Sequence, residues 1–239
     1  MRLLLSAAGL VLFAAPLPAL ACSVAPGYRV PTNLELVERS ELILLATVAP
    51  GDVERGSDEQ PTIAIEPVAA LKGAMPSTPI ALSAMIATGD EVQLSNPYEL
   101  KEAHPQSFAG ACTRYAFPSG SRVLFFLDRD EGQWRGAGGA FSRWAEDVLT
   151  DDAPWLQAVR FYIEVASLPA DERLAALAAR RDELGALGDD PVAQLVAADI
   201  GRQMAGPNAA LRGERPAPPD GDAATASDDA EPAAPGPEA

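Results

Sequence analysis

Two cysteines and one histidine are the residues of this sequence best placed to do chemistry. Cys22 directly follows the small-x-small triplet Ala19-Leu20-Ala21, Cys112 stands in "ACTRYAFPSG", and His104 stands in "EAHPQS". A thiolate can attack a carbonyl or bind a metal and an imidazole can carry a proton, so any Ser-His or Cys-His mechanism would have to use His104. No G-x-S-x-G turn accompanies it. In an oxidising compartment two cysteines usually pair, and Cys22 with Cys112 is the sole intramolecular option. Closing a loop of about 90 residues in this way would stabilise the fold by roughly 4 to 5 kcal/mol at most. With both thiols engaged, His104 reads as an exposed loop residue. No catalytic residue is assigned, and the chain reads as non-enzymatic, with no cofactor.

The carboxylates lead no further. The run "DRDEGQW" (128 to 134) clusters acids, but Gly132 comes one position too early for a D-x-D-x-D-G calcium loop. A hairpin turn accounts for Asp130, Glu131 and Gly132, and no metal site is predicted. Arg180, Arg181, Asp182 and Glu183 read as a solvated helix face.

Residues 1–21 set the compartment. Arg2 supplies a positive charge, Leu3 to Phe13 an apolar stretch, and Pro16 and Pro18 break it before an A-x-A cleavage site. These are the parts of an export signal, so the mature chain is predicted to begin at Cys22 and to be periplasmic or secreted. A lipid anchor on Cys22 is the lesser alternative, because Ala19 and Leu20 are interchanged relative to the order that lipoprotein processing prefers. No later segment has the roughly 20 apolar residues that a membrane-crossing helix needs. The 239 residues carry a formal charge of −16, with Lys72 and Lys101 the only lysines, which argues against nucleic-acid binding by phosphate neutralisation.

The elements that must position these residues follow from periodicity. "TNLELVERS" (32 to 40) predicts a short helix capped by Thr32 or Asn33. Strands are predicted at 41–48, 62–71, 79–86, 122–128 and 133–141, and five short strands with Gly-rich or Pro-rich turns suggest a small barrel. The long connection from about 87 to 120 holds His104, Cys112 and Gly120. Beyond Asp152 the period changes: Leu156, Val159 and Ile163, then Leu174, Leu177 and Leu184, then Val192, Leu195 and Ile200 recur at helical spacing. The last 24 residues, 216–239, hold six prolines, six acids and no base, the composition of a disordered tail. The predicted class is mainly β plus α: a five-stranded OB-like barrel with a short N-terminal helix over 22–148, a three-helix segment over 151–206, and a disordered acidic tail over 213–239.

The layout from Cys22 to about Trp144 resembles the netrin-like, tissue-inhibitor-of-metalloproteinases type of OB domain. The matching pieces are an N-terminal "CSVAP", a short helix, "ELILLATV", a strand leading into "LKG" at 71–73, and "CTRYAFPSGSRVLFFLD". The resemblance implies a disulfide from the N-terminal cysteine to a cysteine just before a glycine-led strand, here Cys112 before Gly120. It also implies an activity, in which the free amine and carbonyl of Cys22 would chelate a protease's catalytic zinc and Ser23 would point into the protease pocket. The sequence departs from that family at Val24, where the inhibitors carry a second cysteine, and in the helical segment. The expectation is therefore an exported binding or inhibitory module whose candidate contact residues are Cys22 and Ser23, with a protein partner such as a zinc protease. The alternative is a structural cell-envelope protein whose helical segment contacts a partner.

Overall fold

The structure, a computed structural model, describes residues 23–50, 61–89, 93–96 and 98–213. The predicted signal, Cys22 and the predicted tail beyond Gly213 lie outside the described residues. The chain opens with helix α1 (Asn33–Arg39), which Thr32 starts with a capping box. The Thr32 hydroxyl accepts the Glu35 N–H at 3.2 Å while the Glu35 carboxylate accepts the Thr32 N–H at 2.8 Å, so two otherwise orphaned donors are satisfied.

Strands β1 (Leu42–Val48), β2 (Thr62–Lys72), β3 (Ile80–Ser83), β6 (Arg122–Asp130) and β7 (Gln133–Gly136) form an antiparallel sheet in the order β3-β2-β1-β6-β7. Its two ends, β3 and β7, approach each other, so the sheet is a nearly closed five-stranded barrel. Register shifts in β2 opposite Ile43/Leu44 and Leu45/Ala46 supply bulges, which sharpen the local bend. Three short strands complete the β structure. β4 (Met85–Ala87) pairs in parallel with β5 (Ala116–Pro118), and β8 (Ala145–Asp147) adds to β6 beside β7. The predicted third strand, 79–86, is thus broken at Ala84. The predicted fifth ends at Gly136, because Gly138 and Gly139 turn the chain with φ of 85° and 74°.

Helices α2 (Pro154–Ser167), α3 (Ala170–Gly185) and α4 (Pro191–Met204) begin at the prolines or just past them, as the sequence predicts. The continuous apolar run of β1 has a physical cause, since both of its faces are covered. Leu42, Leu44, Ala46 and Val48 point into the barrel with Ile63, Ile65, Val123 and Phe125. Ile43 and Leu45 point outward, with Leu124 and Phe126, onto Leu36, Trp155, Leu156, Val159 and Tyr162. Barrel and helices therefore share a core, and the apolar residues of α2 are spent on the sheet. Leu174, expected on the buried face of α3, is instead exposed, and α3 buries only Leu177 and Leu184. A buried polar knot ties the helices together. The Asp199 carboxylate accepts from Tyr162 Oη at 2.6 Å, from Asn33 Nδ2 at 3.0 Å and from Arg202 at 2.8 Å.

Candidate functional site

The start of the described chain is held in place by the end of the helical segment. Residues 23–30 run antiparallel to residues 208–212: Gly27 N–H donates to the Arg212 carbonyl at 3.0 Å, Leu211 N–H to the Tyr28 carbonyl at 2.9 Å, and Asn208 Nδ2 to the Val30 carbonyl at 2.9 Å. The Tyr28 hydroxyl donates to the Ala140 carbonyl at 2.6 Å, which fastens the segment to the turn after β7. Burial raises the pKa of Tyr28, so this donor stays protonated. That turn needs glycine, because a Cβ on Gly138 would stand 2.8 Å from Ser142 Cβ and 2.9 Å from Leu36 Cδ1 at a φ of 85°.

Ser23 and Val24 line an open groove of about 660 Å³ together with Val30, Phe108, Phe141 and Leu211. Phe108 and Phe141 stack with centroids 5.4 Å apart, and Phe108 is 57% exposed. Behind the stack lies a strained clasp. Cys112 and Phe141 both have positive φ, 60° and 57°, and Phe141 N–H donates to the Cys112 carbonyl at 2.6 Å. Non-glycine residues in this region cost about 1–3 kcal/mol each and persist where their surroundings over-determine them. Cys112 is itself disulfide-bonded. The partner expected for it, Cys22, lies outside the described residues. On the far side of the clasp, Cys112 borders a second cavity of about 390 Å³ in the seam between β3 and β7, lined by Leu82, Trp134, Gly136 and Trp144.

His104 is not the exposed loop residue that its neighbourhood suggests; it is 1% exposed. It starts the 3₁₀ turn Pro105–Phe108, where its Nδ1 accepts the Gln106 N–H at 3.2 Å and its Nε2 lies 2.8 Å from the Gln93 carbonyl. Nε2 therefore carries the proton. Burial, helped by the Arg114 charge, pushes the imidazole down to about 4, so it is neutral near pH 7. With both nitrogens engaged, its chemistry is that of a loop anchor. Beneath it, Arg114 meets Asp147 at 3.1 Å and Arg143 meets Glu146 at 3.6 Å, all four side chains buried. Burial raises the Glu146 pKa. The Glu146 carboxylate also accepts the His104 backbone N–H at 3.2 Å.

The acidic run behaves as a hairpin. Asp130 pairs with Gln133, and Glu131 and Gly132 have φ of 49° and 84°, the positive pair that a tight two-residue turn requires. Arg180 and Glu183 form a 2.7 Å ion pair on the exposed side of α3. Among the described residues no group of three or more His, Cys, Asp or Glu side chains could hold a metal ion. No helix there is long and apolar enough to cross a membrane. Of the predicted contact residues, Ser23 sits at the groove, while the groove's aromatic wall was not foreseen. Phe108 and Phe141 lie 33 positions apart in two loops, and no local pattern joins them. Comparison with protein-family models, with curated proteins and with solved structures finds no match in any of the three.

Proposed function

We propose that this protein is an exported binding or inhibitory module that engages a protein partner through its mature N-terminus, Cys22 and Ser23, and through the groove beside it. The observation that carries this reading is the anchoring of residues 23–30. Three hydrogen bonds to residues 208–212 and one from Tyr28 to Ala140 hold the segment along an apolar groove that has an exposed aromatic stack. A segment already ordered in the free protein loses little freedom on binding, which favours affinity. The bond on Cys112, one residue-to-residue contact behind the groove, adds to that order.

The partner class that fits best is a zinc protease. An α-amine with a reference pKa of about 7.7–8.0 can shed its proton near neutrality and ligate a metal, which a lysine ammonium seldom does. The amine and carbonyl of Cys22 would fill the coordination position that a catalytic zinc keeps open, Ser23 would enter the protease subsite, and the groove would receive the flanking surface. Export to the periplasm or beyond belongs to the same proposal, since the amine exists only after the signal is cleaved.

The test is a panel of zinc proteases assayed with the mature protein, with the carbamylated protein, and with a form carrying one extra alanine before Cys22. Inhibition at micromolar concentration by the native form alone is the expected result. No inhibition, or equal inhibition by the extended form, refutes the N-terminal mechanism.

A further inference from the structure

We propose that the cavity in the barrel seam, between β3 and β7, binds a small uncharged aromatic compound that carries a hydrogen-bond acceptor such as a carbonyl oxygen. The site is separate from the N-terminal groove, with which it shares no lining residue.

The cavity exists because the barrel is not fully closed. The sheet order β3-β2-β1-β6-β7 brings β3 and β7 together, but among the described residues no ladder joins them. The gap holds about 390 Å³, within the range of small-molecule pockets, which recur at the mouths of β-barrels. Its walls are preformed. Trp144 packs against Phe117 and Phe125 with ring centroids 5.8 and 5.9 Å apart, and the backbone at Gly136 lies so close that a Cβ there would stand 2.5 Å from the indole Cδ2. Trp134 is held by the Arg129 guanidinium, 4.2 Å from its ring, and Leu82 adds an apolar side from β3. Aromatic ligands gain stacked or edge-on contacts with such rings, and walls that are already ordered lose little freedom on binding.

Charge and hydrogen bonding narrow the class. Among the described residues no carboxylate side chain lines the cavity, and its two arginines are each matched by an acid outside the lining. Arg114 meets Asp147 at 3.1 Å, both buried, and Arg135 meets Asp130 at 2.6 Å on the exposed rim. An ionic ligand would have to break one of these pairs or carry its charge unmatched into apolar surroundings, so the occupant is uncharged. The wall is nevertheless short of acceptors. Trp144 Nε1–H and Arg114 Nε–H are buried without a hydrogen-bond partner, a costly state that an acceptor on the ligand would relieve. The other unmatched atoms, Ser107 Oγ, Arg143 Nε and Trp155 Nε1, belong to residues that line neither cavity.

The experiment uses the full mature chain with nitrogen-15 in its three tryptophans, so that each indole N–H gives one NMR cross-peak. Trp134→Phe and Trp155→Phe assign two of them and leave Trp144 by elimination. The probes are 1-indanone and indane, which differ only in the carbonyl, each added to about 0.5 mM. Expected is saturable movement of the Trp134 and Trp144 peaks by 1-indanone with a Kd on the order of 0.1 mM, while Trp155 stays still. Indane should bind about three- to ten-fold more weakly, and only 1-indanone should move the Trp144 N–H downfield. Thr113→Phe, which places a ring in the cavity wall, should abolish the response. No movement of Trp134 and Trp144 overturns the proposal, as does equal movement of all three peaks. Equal binding of the two probes refutes the acceptor match, and tighter binding of indane-1-carboxylate than of 1-indanone refutes the uncharged class. An undiminished response in a Thr113→Phe protein whose spectrum is otherwise native puts the ligand elsewhere. No protease enters this experiment, so its failure is separate from failure of the inhibition assay.

Discussion

Alanine at Gly138 is expected to destabilise the protein by about 2–5 kcal/mol, against about 1–2 kcal/mol for alanine at Gly132. The two glycines share a backbone conformation, with φ of 85° and 84°. The penalty for an L side chain in the left-handed region, about 1–2 kcal/mol, is therefore common to both, as is the smaller gain from a stiffer unfolded chain. They differ in what the new methyl meets. Nothing lies within 4 Å of a Cβ at Gly132, whereas at Gly138 it would stand 2.8 Å from Ser142 Cβ, 2.9 Å from Leu36 Cδ1 and 3.1 Å from Pro31 Cγ. Carbon contacts are optimal near 3.5–4.0 Å, so the turn or α1 must move, at about 1–3 kcal/mol. Gly139 falls between the two. Its Cβ would be crowded by the Tyr28 hydroxyl, at 3.0 Å, with the ring carbons at an ordinary 3.8 Å, and the loss there is about 1 kcal/mol from a disturbed hydrogen bond to Ala140. Urea unfolding followed by tryptophan fluorescence would give the midpoints, compared at constant slope. Stabilities of Gly138→Ala and Gly132→Ala, each the midpoint times the common slope, that agree to within about 0.5 kcal/mol would refute the close packing on which the anchoring of the N-terminal segment depends.

Three other outcomes are expected. An unfolded histidine binds its proton near pH 6.5 and folded His104 near 4, so in that window the unfolded chain holds more protons and stability falls as pH is lowered, by up to about 1.4 kcal/mol per unit; the raised Glu146 pKa acts in the opposite sense. Subtracting the stability profile of His104→Gln isolates the histidine contribution, and a difference that stays flat from pH 6.5 to 4 contradicts the buried neutral imidazole. Replacing Arg114 by methionine strands the buried Asp147 carboxylate and should cost about 3–5 kcal/mol, most of it recovered in Arg114→Met/Asp147→Leu; a double variant as unstable as the single one rules out the ion pair as the cause. Thiol titration of the denatured, unreduced mature chain should find no free thiol, whereas two free thiols or a cysteine-linked dimer removes the Cys22–Cys112 pairing.

What the sequence makes legible here is whatever repeats along it. β1 shows as an apolar run because Ile43 and Leu45 are covered by helices while Leu42 and Leu44 are covered by the barrel. The helix starts show because proline fits the first turn, and Thr32 shows because Glu35 stands three residues later. β5 and β8 stay hidden, and the break that makes β4 a separate strand stays hidden with them, since three residues carry no measurable period and the partners of β5 and β8 are distant. His104 misleads for a related reason. Its burial is imposed by Gln93, Gln106, Glu146 and Arg114, which only the folded loop brings together. Ser23 was placed by the cleavage site and the family resemblance, both of them local signals. The Phe108–Phe141 wall needed the tertiary structure.

The clasp between Cys112 and Phe141 explains how a loop-built site can be rigid without belonging to either apolar core. Neither residue is in the barrel interior or under the helices, and each holds a backbone conformation that a free loop would abandon. Each is fixed from outside the clasp: Phe141 by its stack on Phe108, and Cys112 by its disulfide. The 2.6 Å hydrogen bond between them makes the two constraints one, because relaxing either φ would break it. Tyr28 then ties the N-terminal segment to Ala140, the residue next to Phe141, so the order of the groove wall passes directly to residues 23–30. The core residues set whether the chain folds; these few loop contacts set the geometry in which residues 23–30 are held, and a segment held in one geometry loses little freedom on binding.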